Sequence, residues 1–407
     1  MIIIVGVYLY RRGHTAIDEG MTPKDTSTSQ GTRRSFLKAT AGVSAVGLAG
    51  CIGGDDGGDG SRTIGFETMG LGGDPWMGAF TNAAEWYAED NDINLDVTSG
   101  QFDSAKQIQD LRQMIRQDVD GIVISPFEPG ALADVIEEAV DDGIPVFTAN
   151  STASTDAVSM FTAFGNANAA SSAAELMISR LEDRYGEARG EVLEIIAPQR
   201  NPTFVDRHEG FENRIQEEDN VEIVEQIQVE ESDQASITNK LSTRLQQGTD
   251  FDGLYCPDLN SELGTLAAMD NTDTRVKRGE DGHIIMTGID AGPNVLSAIQ
   301  NGYMDGSVDQ PNLFYGPISI KYLVDYLEAD DSESALPEIG TEVTADDLDI
   351  QGGTHKGVNP WEEPIWAPAT LTEYEADDAT QRYFQTQGVT VTQENADMPY
   401  IWGNIMD

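Results

Sequence analysis

Five places in the chain put a polar side chain at the end of a short apolar run. They are Asp74-Pro75-Trp76 after "RTIGFET", Asn150 after "IPVFTA", Asp258 after "LYCP", Asp290 after "MTGI" and Gln310 after "GSVD". Taken singly, each is an ordinary helix cap or turn former. Together they are materials for a noncovalent polar site, because an ionised Asp only accepts hydrogen bonds while an amide both donates and accepts. Covalent chemistry has less to draw on. The two cysteines are Cys51 and Cys256, and no histidine lies near Cys256 in sequence. His14, His208, His283 and His355 are too scattered for a metal-ligand spacing. No phosphate-cradling Gly loop, nucleophile elbow or zinc signature is present, so the sequence implies no catalytic residue, no metal and no cofactor.

The elements that must position these residues follow from periodicity. From Arg62 onward, β-branched runs alternate with amphipathic stretches, the pattern of βαβ units and a parallel sheet. "RTIGFET", "INLDVTS", "DGIVISP" and "IPVFTAN" read as strands; "MGAFTNAAEWYAED", "SAKQIQDLRQMIRQ" with a Ser cap, and "GALADVIEEAVDDG" read as helices. Further strands are "GEVLEII", "EIVEQIQV", "FDGLYCP" and "GHIIMTGID", with helices near 169–184, 204–218, 234–247, 260–269 and over "GPISIKYLVDYLEA". That is too many units for one small sheet, and the length of 407 residues exceeds the usual single core. The fold class is therefore α/β, with two doubly wound, Rossmann-like lobes. Open α/β sheets bind ligands at the carboxyl ends of their strands, where the five polar positions lie.

Charge narrows the partners. Lys plus Arg number 24 against 71 Asp plus Glu, a net charge of -47, yet 39% of residues are hydrophobic and fall in periodic runs. A folded core under an acidic coat is implied, and such a coat repels phosphate backbones, which excludes nucleic acid as the natural partner. Widespread acid with few lysines resembles proteins of salt-loving archaea, where salt screens the self-repulsion. Ahead of the alternating region, Arg33-Arg34 with "SFLK" resembles a twin-arginine export signal, and "LAGC" ending at Cys51 resembles a lipobox, whose cysteine is lipidated. The apolar stretch between them is too short to span a bilayer. Residues 51–61, rich in Gly and Asp, read as a flexible tether. The expectation is a protein anchored by lipid on the outer face of the cell membrane, with residues 1–50 as upstream segment and signal. Residues 1–20 read as a gene-model extension before a start at Met21.

Four stretches carry a family resemblance over about Arg62 to Leu336: "VDGIVISPFEPGALADVIEEAVDDGIPVFTAN", "RHEGF", "CPDLNSELGTLAAMD" and "TGIDAGPNVLSAIQNGYMDGSVDQP". In order and spacing they resemble the type I periplasmic binding proteins of the ribose and galactose class, the substrate-binding subunits of ABC sugar importers. The resemblance implies the periplasmic binding protein-like I fold, two lobes joined by three crossovers, near 164–166, within 290–311 and after 336. It divides the chain into 62–164 plus 311–340 and 165–310 plus 341–407. It also implies site roles: Trp76 against a sugar ring, Asp74 accepting hydroxyls, Arg207 donating a fork of hydrogen bonds, Asp258 and Asp290 binding hydroxyls, and Gln310 at the hinge. Asn150-Ser151 stands where the family commonly has Asp followed by a basic residue.

The function implied is extracytoplasmic delivery of a sugar or sugar-like ligand to an ABC permease by a monomer that is not an enzyme. A receptor for a sensory system would use the same binding cycle. A glycosidase using Asp258 and Asp290 as a carboxylate pair is the enzymatic alternative. The tail 344–407, with Trp361, Trp366 and Trp402 among prolines, shows no clear period. It reads as a strap packed on a lobe or as a flap adding an aromatic wall to the cleft.

Overall fold

The computed structural model describes residues 62–70, 75–377 and 379–406. The expectations for Arg33, Arg34, Cys51, Asp74 and segments 1–50 and 51–61 lie outside the described residues.

The first run of alternating elements comprises β1 (Thr63–Thr68), α1 (Pro75–Asp90), β2 (Asn94–Ser99), α2 (Ser104–Gln117), β3 (Gly121–Ile124), α3 (Pro129–Asp141), β4 (Val146–Ala149) and β5 (Val158–Phe164). The second comprises α4 (Asn166–Tyr185), β6 (Gly190–Ile196), α5 (Pro202–Ile215), β7 (Val221–Gln228), α6 (Gln234–Leu245), β8 (Gly253–Cys256), α7 (Leu259–Asn271), β9 (Ile285–Ile289), α8 (Pro293–Gln300) and β10 (Gly306–Asp309). Then follow α9 (Asn312–Glu328), β11 (Glu342–Val343), β12 (Ala369–Ala376), β13 (Ala379–Thr386), β14 (Val389–Val391) and α10 (Trp402–Ile405). β5, α8, the tail strands β11–β14 and α10 are additional to the elements the sequence predicts. The cap of α2 is Asp103, not Ser104: its carboxylate accepts from the amides of Ala105 and Lys106 at 2.8 and 3.3 Å. A carboxylate also complements the positive end of the helix.

Two sheets form, with core orders β2-β1-β3-β4-β5 and β7-β6-β8-β9-β10, each wholly parallel. Both are the doubly wound order 2-1-3-4-5, whose direction reverses beside its first strand and opens a crevice there. On one face of the first sheet Phe66 packs with Phe80 of α1 and with Leu313 and Phe314 of α9; on the other, Ile122 and Ile124 meet Leu111 and Met114 of α2 and Leu132 and Ile136 of α3. In the second sheet Leu193, Leu254 and Met286 are covered by Ile237, Leu241 and Leu296. Each side chain buried so completely contributes about 1.5–3 kcal/mol.

The tail departs from the expected division. β11, β12 and β13 extend the first sheet beyond β5, and only β14 joins the second, antiparallel to β10. Residues 341–386 thus belong to the first lobe, not the second. The physical reason is that β5 leaves an open sheet edge, which β13 covers in parallel register from Tyr383↔Phe161 to Thr386↔Phe164. The chain passes between sheets at Gly165, at Gln310–Pro311 and at Gln387–Gly388, so the third passage falls some fifty residues later than Leu336. These passages touch: Gly165 N–H donates to the Thr386 carbonyl at 3.2 Å, and Asp309 pairs with Val389.

Candidate functional site

Strand ends set the site. β8, β9 and β10 stop in succession at Cys256, Ile289 and Asp309, so Asp258, Asp290 and Gln310 emerge on the same edge of the second sheet. Arg207 reaches this edge from the second turn of α5, a helix opened by Asn201, whose side chain accepts from the Thr203 amide at 3.0 Å, and by Pro202 at its first position. Its Nη1 donates to the Pro257 carbonyl at 2.6 Å, its Nε to Asn166 Oδ1 at 2.9 Å, and its Nη2 lies 3.6 Å from Asp290 Oδ1. Asp290 also accepts from the Leu259 amide at 3.0 Å and from the Gln310 side-chain amide. Gln310 in turn accepts from the Tyr315 hydroxyl at 3.2 Å, and the Tyr315 ring lies 6.3 Å from that of Trp76, which stacks on Phe80. A continuous path, Arg207–Asp290–Gln310–Tyr315–Trp76, therefore runs from the second lobe through a crossing passage to the first.

All five positions with side chains on this edge are secluded: Trp76 is 8% exposed, Arg207 3%, Asp258 7%, Asp290 7% and Gln310 5%. Asp258 is chiefly a cap. Its carboxylate accepts the Ser261 amide at 2.8 Å and the hydroxyls of Ser261 and Ser232, while burial pushes its pKa up. Burial pushes Glu262 and Asp309 well above the carboxylate range, the Trp402 side chain and the Gln310 backbone opposing it at Asp309, and one oxygen of Glu262 lacks a hydrogen-bond partner among the described residues. On the first lobe, Glu67 near the end of β1 is pushed up to about 8 by burial, with Gln107 Nε2 donating to it at 2.5 Å. Arg207 is a cation set beside Asp290 and acting on Glu262, and it can fork toward a polyhydroxylated ligand as it now forks toward Pro257, Asn166 and Asp290.

The expected residues thus divide. Trp76, Arg207, Asp258, Asp290 and Gln310 are brought together. Asn150 closes β4 with φ at 68°, is half-buried, and uses its backbone N–H on the Thr162 carbonyl at 2.8 Å; among the described hydrogen bonds none joins it to the Arg207 group. Sequence reasoning missed Asn166, Asn312 and Tyr315 as site neighbours, and named Trp402 only among the tryptophans of a strap or flap. Asn312 is fully buried and donates to the Trp76 carbonyl at 3.4 Å; the Trp402 indole donates to the Asp290 carbonyl at 2.8 Å. Their signal was weak, because helix-borne Tyr and Asn read as core and cap.

A hollow of about 530 Å³ elsewhere is lined by Arg180, Arg184, Arg278, His283 and Asp305. It sits at the amino ends of β8, β9 and β10, opposite the crevice, and its arginines face Asp183, Asp252 and Asp305. Its position and pairing make it an ion-pair network closing the base of the second lobe. No group of His, Cys, Asp and Glu among the described residues is placed to hold a metal ion, and no helix among them is long and apolar enough to cross a membrane.

Residues 68–331 match the family described as periplasmic binding protein domain. Among curated proteins, the galactofuranose-binding protein YtfQ of Escherichia coli is 25% identical over 284 residues, spanning 68% of this chain and 84% of its own. The ribose import binding protein RbsB of Bacillus subtilis is 23% identical over 265 residues, 65% of this chain and 81% of its own. Among solved structures, the periplasmic ribose ABC transporter protein from Conexibacter woesei superposes with a TM-score of 0.64 at 19% identity, covering 86% of this chain and 98% of that one. An ABC transporter solute binding protein from Bacillus halodurans with bound myo-inositol gives 0.61 at 20% identity, covering 85% and 99%.

Proposed function

The chain belongs to the periplasmic binding protein family, and on that footing we propose that it binds a sugar or sugar-like polyol between its lobes and delivers it to an ABC permease outside the cytoplasm. The observation that carries this reading is the path from Arg207 through Asp290, Gln310 and Tyr315 to Trp76, which supplies donors, acceptors and an aromatic face at strand ends of both lobes. Asp290 offers acceptors to neighbouring hydroxyls, Arg207 offers donors, and Trp76 offers a face to ring C–H groups. Because these side chains are buried, ligand enters when the lobes part, and binding shifts the equilibrium toward closure by its differential affinity for the closed form. The permease reads that closure. Anchorage at the outer membrane face through Cys51, after export directed by Arg33 and Arg34, completes the reading, and Asp74 joins Trp76 in the ligand loop.

A thermal-shift panel of pentoses, hexoses, furanoses and inositols tests it. A ligand held at about 100 times its Kd adds about 2.7 kcal/mol to folding stability, so a binder raises the melting temperature visibly. Trp76→Ala is expected to abolish that rise while the ligand-free protein still melts cooperatively. A panel without any shift overturns the sugar reading, and an unchanged shift in the variant removes Trp76 from the site.

A further inference from the structure

Asp290 has φ at 106° and Ala291 at 43°, two consecutive non-glycine residues in backbone regions that L side chains rarely adopt. Such a turn persists only where its surroundings over-determine it. Here two constraints are internal to the second lobe: Asp290 N–H donates to the Val308 carbonyl at 3.0 Å, and Ala291 N–H donates to Ser307 Oγ at 3.1 Å, while that hydroxyl donates to Glu262. A third comes from the tail, where Trp402, 1% exposed, donates its indole N–H to the Asp290 carbonyl at 2.8 Å. The end of the tail also reaches the first lobe. Trp402 opens α10, and Met406, just past its end, receives the Asn82 side-chain amide of α1 at 3.8 Å. α1 is the helix that carries Trp76. The backbone of α10 is pressed so close that a side chain added at Gly403 would meet the Ala291 carbonyl at 2.8 Å.

We infer that Trp402 is a positioning residue of the ligand site: it holds the Asp290–Ala291 turn so that the Asp290 carboxylate meets Arg207, Gln310 and the Leu259 amide, and its strap ties that turn to α1. The inference rests on the cleft being the ligand site only for its effect on affinity; the effect on the turn is independent of any ligand. Without the indole donor a buried carbonyl loses its partner and the strained turn loses the restraint that comes from the tail.

Trp402→Phe keeps an aromatic ring and removes the donor. Replacement of Trp402 by 3-benzothienylalanine keeps the bicyclic shape as well, and serves where the Phe variant packs poorly. Native-state hydrogen exchange is expected to speed up about tenfold at the Leu259 and Ala291 amides, the factor for one unmade buried hydrogen bond, with the core amides of β8 and β9 unchanged. Evenly faster exchange throughout, or no change at those two amides, reduces Trp402 to packing and overturns the inference. In the binding arm, with whichever of D-ribose, L-arabinose and myo-inositol raises the wild-type melting temperature, the variant is expected to bind about tenfold more weakly. Asp290→Asn is then expected to cost less in the Trp402→Phe background than alone, as coupled groups do. If none of the three binds, the exchange measurement still decides the role of Trp402, and the sugar reading is decided by the full thermal-shift panel.

Discussion

At the scale of single residues, the site is built from groups whose ordinary behaviour burial has changed. Glu67 is the clearest case, pushed from 4.5 to about 8. Its folded form keeps a proton that the unfolded chain releases, so its contribution is greatest at low pH and is lost as pH rises through about 8. Between those two values stability is expected to fall by about 1.4 kcal/mol per pH unit on its account. Glu67→Gln, an isostere without the titration, is expected to show a flatter decline of melting temperature from pH 5 to 8 than the wild type; parallel curves would refute the assignment. Trp76, Asp290 and Gln310 were legible because residues at strand ends follow recognisable apolar runs, and Arg207 through the family resemblance that "RHEGF" carries. Tyr315 and Trp402 were not: a tyrosine in a helix reads as core, and a tryptophan in a tail without a clear period gives no hint that its indole reaches the Asp290 carbonyl.

Among elements, position follows packing. α4 and α5 lie so close that a Cβ at Gly210 would stand 2.2 Å from the Ala167 carbonyl, one residue from the Asn166 that Arg207 grips. Backbone cannot yield as a flexible side chain can, so Gly210→Ala is expected to cost about 1–3 kcal/mol and to displace Arg207; urea unfolding measures the first, and the thermal-shift panel the second. The alternating core was readable because a period near two or 3.6 survives in sequence. β5 was not, since "VSMFTAF" is buried almost throughout and follows a Ser/Thr-rich loop that masks its start. β12 and β13 do alternate in burial, but much of their pattern is carried by Thr, Gln, Glu and Tyr, so the period lies in exposure more than in hydropathy. Gln381 shows why: 2% exposed, it donates to the carbonyls of Ala153 and Thr155 and accepts from Thr152, docking β13 through polar bonds.

For the whole molecule, a net charge of -47 opposes compaction, and salt within a short Debye length screens it. The melting temperature is expected to rise by several degrees between dilute buffer and molar sodium chloride, and a flat profile would refute the halophilic reading. The third passage between lobes has a consequence in time. β11 to β13 finish the first sheet and β14 finishes the second, all from residues after 341. During synthesis both lobes therefore wait, each with an uncovered sheet edge, until the same late stretch has left the ribosome. Binding competence is then acquired in one step by both halves, and a chain halted before β13 carries two unfinished lobes instead of one that works.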